Sequence, residues 1–198
     1  MLKATLATVL LVSAITAQQA DSARQYRIDT NHSTVGFSVS IMGGLSKVTG
    51  KFTDFAVTLM NDERDITKSS VSVVIKATSI DTGIKERDND LRTANFFDVE
   101  KYPEITFQST RIEKRGKQLI AVGTFTMHGV SKEIVLPFTI TGPDKNPTTK
   151  KMNIGYTTRI TLNRRDFGIN WRHPAVPNFV SDDVEVEINL ITRAIDVM

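Results

Sequence analysis

Ala121-Val122-Gly123-Thr124-Phe125-Thr126-Met127-His128-Gly129-Val130-Ser131-Lys132-Glu133-Ile134-Val135-Leu136-Pro137-Phe138-Thr139-Ile140 carries two alternating runs on either side of a turn signal. Ala121, Gly123, Phe125 and Met127 recur every second residue before His128-Gly129, and Ile134, Leu136, Phe138 and Ile140 do so after it. Successive side chains of a strand point to opposite faces, so a period of two marks a strand with one buried and one wet face.

The same rhythm spreads outward in both directions. Phe37, Val39 and Ile41 alternate with Ser38 and Ser40, and Val71, Val73, Ile75 and Ala77 follow, with Ile105 and Phe107 after them. On the C-terminal side come Ile154, Tyr156, Thr158, Ile160 and Leu162, then Val184, Val186, Ile188 and Leu190. Met42-Gly43-Gly44, Asn61-Asp62, Arg115-Gly116 and Gly142-Pro143-Asp144 punctuate these runs as turns. The expectation is an all-β domain of about eight antiparallel strands joined mostly by short turns. A sandwich and a closed barrel both fit that pattern.

Three stretches depart from it. Asp81 to Phe97 opens with capping residues and places Ile84, Leu91 and Ala94 at helical spacing, which predicts one amphipathic helix of about three turns across an end of the sheet. A shorter helical turn is expected over Asn163 to Phe167. Asn170 to Ser181, with Trp171, Pro174, Pro177 and Phe179, reads as an irregular plug or flap.

The N-terminus is of another kind. Lys3 precedes an apolar run from Ala4 to Ile15, and small residues follow at Ala17, Ala20 and Ala23. That order is the pattern of a secretory signal peptide, expected over residues 1–17 with its cut between 17 and 23. The run is shorter than the roughly 20 residues that a membrane-crossing helix needs. Nothing later is long enough to span a bilayer, so no integral membrane segment is expected after processing. A single domain over residues 25–196 remains, periplasmic or secreted. The net charge of +3 is spread without a basic block, which argues against nucleic acid as partner.

Few residues could carry chemistry. Cysteine is absent, and the three histidines His32, His128 and His173 show no metal-ligand spacing. No nucleophile elbow or phosphate-cradling glycine loop is present. No catalytic residue, metal or cofactor is therefore expected. Glu86, Asp88 and Asp90 lie among Lys85, Arg87 and Arg92 and read as the solvated face of the helix, because a Ca²⁺ loop needs more ligands and a glycine. Asn31-His32-Ser33 matches a glycosylation sequon. His128 reads first as a turn residue bonding a backbone carbonyl, with a polar contact at a barrel mouth as the alternative. The aromatic residues could equally fill a core or line a cavity, since an eight-stranded barrel can be self-filled or hold one ligand. Gly36, Ala77, Ala121 and Gly123, small residues among the apolar stripes, hint at space.

Five ordered blocks stand out: Asp29-Thr30-Asn31-His32-Ser33-Thr34-Val35-Gly36-Phe37, Leu45 through Phe52, Ser79 through Phe107, Gly123 through Lys132, and Asn163-Arg164-Arg165-Asp166-Phe167-Gly168. Through them the chain, from about Tyr26 to Thr192, resembles the YceI-like family. The resemblance implies an extended, lipocalin-like barrel of eight antiparallel strands with one helix. It also implies an elongated apolar pore that binds isoprenoid-type lipids, polyprenyl or quinone-like, without agreed catalytic residues. Relatives that dimerise make a homodimer compatible with it. Two positions depart from the family's usual pattern: Ile41 and Asp90 stand where relatives often carry histidine.

Combined with strand alternation, the resemblance leads to a set of expected ligand-binding residues: Phe37, Val39, Phe52, Phe107, Phe125, Met127, Phe138 and Trp171 along the tail, with His128 at the mouth. The leading expectation is an exported carrier without turnover. An enzyme acting on an isoprenoid or small amide compound, and a self-filled barrel serving as an interaction module, are the alternatives.

Overall fold

In the computed structural model, which describes residues 23–150, 152–176 and 178–194, the central stretch forms a hairpin of β8 (Gln118–Met127) and β9 (Val130–Lys145). Its register sets Met127 opposite Val130, Gly123 opposite Ile134 and Leu119 opposite Phe138. His128 and Gly129 connect the strands with φ of 51° and 74°. Two left-handed residues match the right-handed twist of flanking strands, so this short turn closes without splaying the hairpin.

The other strands are β1 (Ala23–Ile28), β2 (Thr34–Ile41), β3 (Ser46–Phe52), β4 (Phe55–Asp62), β5 (Ser70–Lys76), β6 (Ile80–Asp81), β7 (Glu104–Arg115), β10 (Met152–Asn163) and β11 (Val180–Ala194). All neighbours are antiparallel, and they close into a ring because β11 pairs with β10 on one side and with both β1 and β2 on the other. β1 and β2 lie end to end along β11, β4 and β3 along them, and β5 and β6 along those in turn. With β7 to β10 completing the circuit, the eleven segments make the eight walls of one barrel. Closure pairs most of the strand edges, although β9 and β10 part beyond Phe138 and Thr158.

The interruptions have local causes. Between β1 and β2, the Asp29 carboxylate accepts hydrogen bonds from the Asn31 amide and the His32 ring, folding the chain outward. Ser33 Oγ then accepts from the Ile191 amide at 3.0 Å, replacing the bond that the ladder loses. In β7 a bulge between Ser109 and Arg111 inserts one residue, so the inward set changes from Ile105 and Phe107 to Ile112.

α1 spans Lys85–Arg92, shorter than the three turns expected over Asp81 to Phe97. Asp81 stays in β6 opposite Lys51, and Gly83 takes a left-handed φ of 78°, so the helix starts only after that corner. Its end is fixed at Thr93, and the chain then turns Phe96 and Phe97 into the barrel mouth, where burial of two rings outweighs another helical turn. Asp88 also departs from expectation. It is buried and accepts from the Thr82 amide at 2.9 Å, clipping the corner to the helix instead of facing water. The expected turn near residue 163 is a 3-10 turn over Arg164–Phe167; of the stretch read as irregular over Asn170 to Ser181, the described residues up to Phe179 are so, whereas Val180 and Ser181 belong to β11. The segment read as a leader lies outside the described residues up to residue 22, and β1 begins at Ala23.

Candidate functional site: an apolar channel inside the barrel

A cluster of Tyr26, Leu59 and Ile154 plugs the barrel at the β1 end. At the other end two segments meet over the mouth. Leu91, Phe96 and Phe97 descend from α1 and the turn after it, and Ile169 and Trp171 enter from the irregular loop. The Phe96 and Trp171 rings join the two covers at 5.2 Å, and Phe97 packs edge-on against Phe52 at 5.9 Å.

Between plug and cover the inward residues do not fill the barrel. A chamber of about 170 Å³ lies beneath the cover, bounded by Val39, Phe52, Phe125, Met127, Leu162 and Val184 among others. A second, of about 90 Å³, lies toward the plug between Leu59, Val71, Ala121, Phe138, Tyr156 and Leu190. Val73, Phe107, Leu136 and Ile188 belong to both walls and form a waist between them. The wall of the larger chamber exposes no nitrogen or oxygen. An apolar cavity of that size stays dry and accepts apolar guests, because water there would find no hydrogen-bond partners. The void lies to one side: Ile105, Phe107, Ala121 and Met127 are buried, whereas Val39, Ile160, Leu162, Val184 and Val186 are only half-buried despite facing inward.

Polar groups along the channel are consumed by the scaffold. Tyr156 donates to Asn61 Oδ1 at 3.0 Å, and Tyr26 donates to Glu63 Oε1 at 2.9 Å. Burial pushes the Tyr156 hydroxyl well above the usual tyrosine range, reinforced by the neighbouring Tyr26 and Glu63. Arg164 borders the larger chamber, but its guanidinium donates to Ile169 O at 2.7 Å, Ser181 O at 3.0 Å and Asp182 Oδ1 at 2.8 Å. Burial pulls its pKa down, and Asp182 opposes that by stabilising the charge. Its role is to tie the 3-10 turn to the start of β11. Among the described residues no group of three or more His, Asp or Glu side chains could hold a metal ion.

Phe37, Val39, Phe52, Phe107, Phe125 and Met127 are brought together in the larger chamber, and Phe107 and Phe138 face the smaller one. Trp171 is in the cover, against Phe96. His128 stands outside both walls: its Nδ1 is 3.1 Å from Phe167 O and its ring 4.6 Å from that of Tyr102. The small residues do not act alike. Gly36 alternates with inward Phe37 and lies opposite Lys51 and Glu187 on the outer face. Gly123 is inward, yet a Cβ there would come within 2.8 Å of the Phe107 ring and 2.3 Å of Gln108 O, so its space is already taken. Missing from the sequence-based set are Ile160, Leu162, Val184, Val186 and Ile188, although their period-two spacing marks them as inward.

The YceI-like domain matches residues 26–192, nearly the whole of the described barrel. The chain belongs to the YceI-like family. Among its relatives, a UPF0312 protein of Photorhabdus laumondii is 37% identical over 153 residues, covering 74% of this chain and 77% of its own. Protein YceI of Escherichia coli is 36% identical over 162 residues, covering 81% and 82%. The barrel is similar to the Campylobacter jejuni YCEI protein, with a TM-score of 0.67 at 30% identity over 77% of this chain and 88% of the other. It also shares its fold with a polyisoprenoid binding domain from Saccharophagus degradans, with a TM-score of 0.65 at 18% identity over 86% of this chain and 98% of that domain.

Two further features shape this YceI-like barrel. Ile41 ends β2 opposite Val180, and Asp90 is exposed on α1, so neither position offers a histidine to the mouth. The hydrogen-bonded register between β9 and β10 also stops at Phe138 opposite Thr158. The next residue of β9, Pro137, has no N–H, and its carbonyl takes the Thr158 hydroxyl at 2.6 Å instead. Beyond that point Ile134 and Leu136 on one strand and Ile160 and Leu162 on the other flank a seam, and all four line the larger chamber.

Proposed function

We propose that this chain is an exported binding protein that holds a long isoprenoid-type lipid, polyprenyl or quinone-like, in the barrel interior, without turnover, in the periplasm or outside the cell. The observation that carries the proposal is the pair of apolar chambers in line, meeting at one waist, the larger of which exposes no nitrogen or oxygen to a guest. Such a wall rewards hydrocarbon alone: each Å² of apolar surface removed from water contributes about 25 cal/mol. A linear chain suits the succession of chambers better than a compact guest does. The name of the Saccharophagus domain, polyisoprenoid binding, points the same way for a barrel of this fold. The signal-peptide pattern of residues 1–17 supports export.

Turnover would need a polar cluster at the reacting carbon. His128, the natural candidate, is bonded to a backbone carbonyl outside the channel, and Arg164 is committed to the chain around it. Within the described residues the channel presents no acid–base pair to a guest.

Native mass spectrometry of the protein recovered from the exported fraction, followed by extraction of what it carries, tests the proposal. A stoichiometric isoprenoid is the expected result. An apo mass that stays unchanged when polyprenols and quinones are offered refutes it.

A further inference from the structure

From the rim of the covered mouth we infer that this end of the barrel docks on a lipid bilayer surface, seated by the β2–β3 hairpin tip and the loop before β11. This inference rests on the carrier reading, since a membrane is where an isoprenoid cargo would be found.

Leu45 is 87% exposed, Met42 46% and Val176 44%, so three large apolar side chains stand in water at one place on the surface. They are neighbours by hydrogen bonding: the Met42 amide donates to Phe179 O at 2.8 Å, and the Phe179 amide donates to Val176 O at 3.2 Å. Local backbone geometry sets both segments in this exposed position. Met42, Gly43 and Gly44 take left-handed φ of 52°, 65° and 94°, which turns the tip sharply outward. His173 Nδ1 accepts from the Ala175 and Val176 amides at 3.2 and 3.0 Å and holds the loop below Val176.

Charge agrees with a bilayer as occupant. Neither residues 41–50 nor residues 170–181 contain a carboxylate; Arg172 of the second segment is exposed, and Lys47 of the first is paired with Glu185 of β11 at 2.8 Å. Apolar tips beside an exposed arginine, on segments without an acid, suit an interfacial element, which buries its tips among acyl chains and leaves its base at the phosphates. The patch is also continuous with the channel. Rings run from Phe179 through His173 and Trp171 to Phe96 at centroid spacings of 5.1, 6.2 and 5.2 Å, and Phe96 lines the larger chamber. A membrane that seats Leu45 and Val176 therefore bears on the cover of the mouth.

Flotation with vesicles of phosphatidylethanolamine and phosphatidylglycerol is the test, using the protein as recovered from its host. The wild type is expected to float. Met42→Ser/Leu45→Ser should lose about tenfold or more in vesicle affinity, because two apolar anchors go. Val176→Ser, on the second segment, should lose several-fold. Native mass spectrometry of the same samples should show the cargo retained in both, since none of the three side chains lines the channel. Wild-type protein left at the bottom of the gradient, or variants that float like it, would overturn the inference. So would a wild-type dimer that Met42→Ser/Leu45→Ser converts to monomer without any vesicle binding, which would assign the patch to a second copy. Flotation of a wild type that carries no isoprenoid would uphold the docking surface and remove the carrier reading instead.

Discussion

Replacing Phe107 by alanine should open the waist and lengthen the cargo. Phe107 is 4% exposed and, with Val73, Leu136 and Ile188, separates a chamber of about 170 Å³ from one of about 90 Å³. Removing a buried phenyl ring costs about 3–5 kcal/mol from lost transfer energy and the cavity left behind. The lower end of that range applies, because the ring already borders two voids and has fewer packed neighbours to lose. At roughly 2–4 °C per kcal/mol for a domain of this size, the apo protein should melt about 6–12 °C lower. The two chambers would then form one channel, so a tail that stops at the waist in the wild type should run on toward the plug. Thermal unfolding with and without polyprenols of graded length reads both effects. Ligand binding restores stability as RT ln(1 + [L]/Kd), so the melting temperature of the variant should rise most with the longer chains. A variant that melts as expected yet prefers the same chain length as the wild type would refute the waist as the divider of the channel. One that loses under about 1 kcal/mol would refute the packing of the ring itself.

Three further outcomes follow from other parts of the barrel. Gly123→Ala would bring a Cβ within 2.3 Å of Gln108 O and 2.7 Å of Ser109 Cα, both backbone atoms; a loss of about 1–3 kcal/mol is expected in urea unfolding, whereas Gly36→Ala, with nothing nearer than 3.5 Å, should be close to neutral. The Tyr156 hydroxyl is held neutral by burial, with its folded pKa raised above the ordinary 10.0. Above about pH 10 the unfolded chain therefore releases a proton that the folded one keeps, and the stability fully present below that pH falls as pH rises. Tyr156→Phe should flatten the alkaline limb of a stability–pH curve, and an unchanged limb would contradict this. His128→Ala removes the bond to Phe167 O and leaves alanine at a φ of 51°, which should cost about 1–2 kcal/mol while lipid affinity stays within about twofold; a large loss of affinity by titration would return His128 to the mouth.

Much of the barrel is legible along the chain because strand alternation is a local property. Phe125 and Met127 must share a face, and His128-Gly129 can supply the turn that brings Val130 opposite Met127. Alternation also gave the inward side of β10 and β11, and choosing aromatic residues over Ile160, Leu162, Val184 and Val186 is what left those out of the expected site. The bulge in β7 is less legible, since one inserted residue exchanges inside for outside and Ser109 is needed to bond the Val71 amide across the sheet. Asp88 looked solvated among its charged neighbours, and only the corner at Gly83 brings the Thr82 amide to it.

By itself, then, the sequence determines the all-β class, the faces of the strands, the family and the poverty of catalytic groups, because each follows from the order and type of nearby residues. Closure into a ring was left to tertiary structure: β11 alone must pair on three fronts, with β10, β1 and β2. So was the channel. Whether inward side chains meet or leave a void depends on the sum of their volumes across all eight walls, which no single strand records. Gly123 shows the difference, a small residue whose space is filled by Phe107 from the neighbouring strand. The half-buried Val184 and Val186 show the converse, large residues that face an opening because nothing from the opposite wall reaches them.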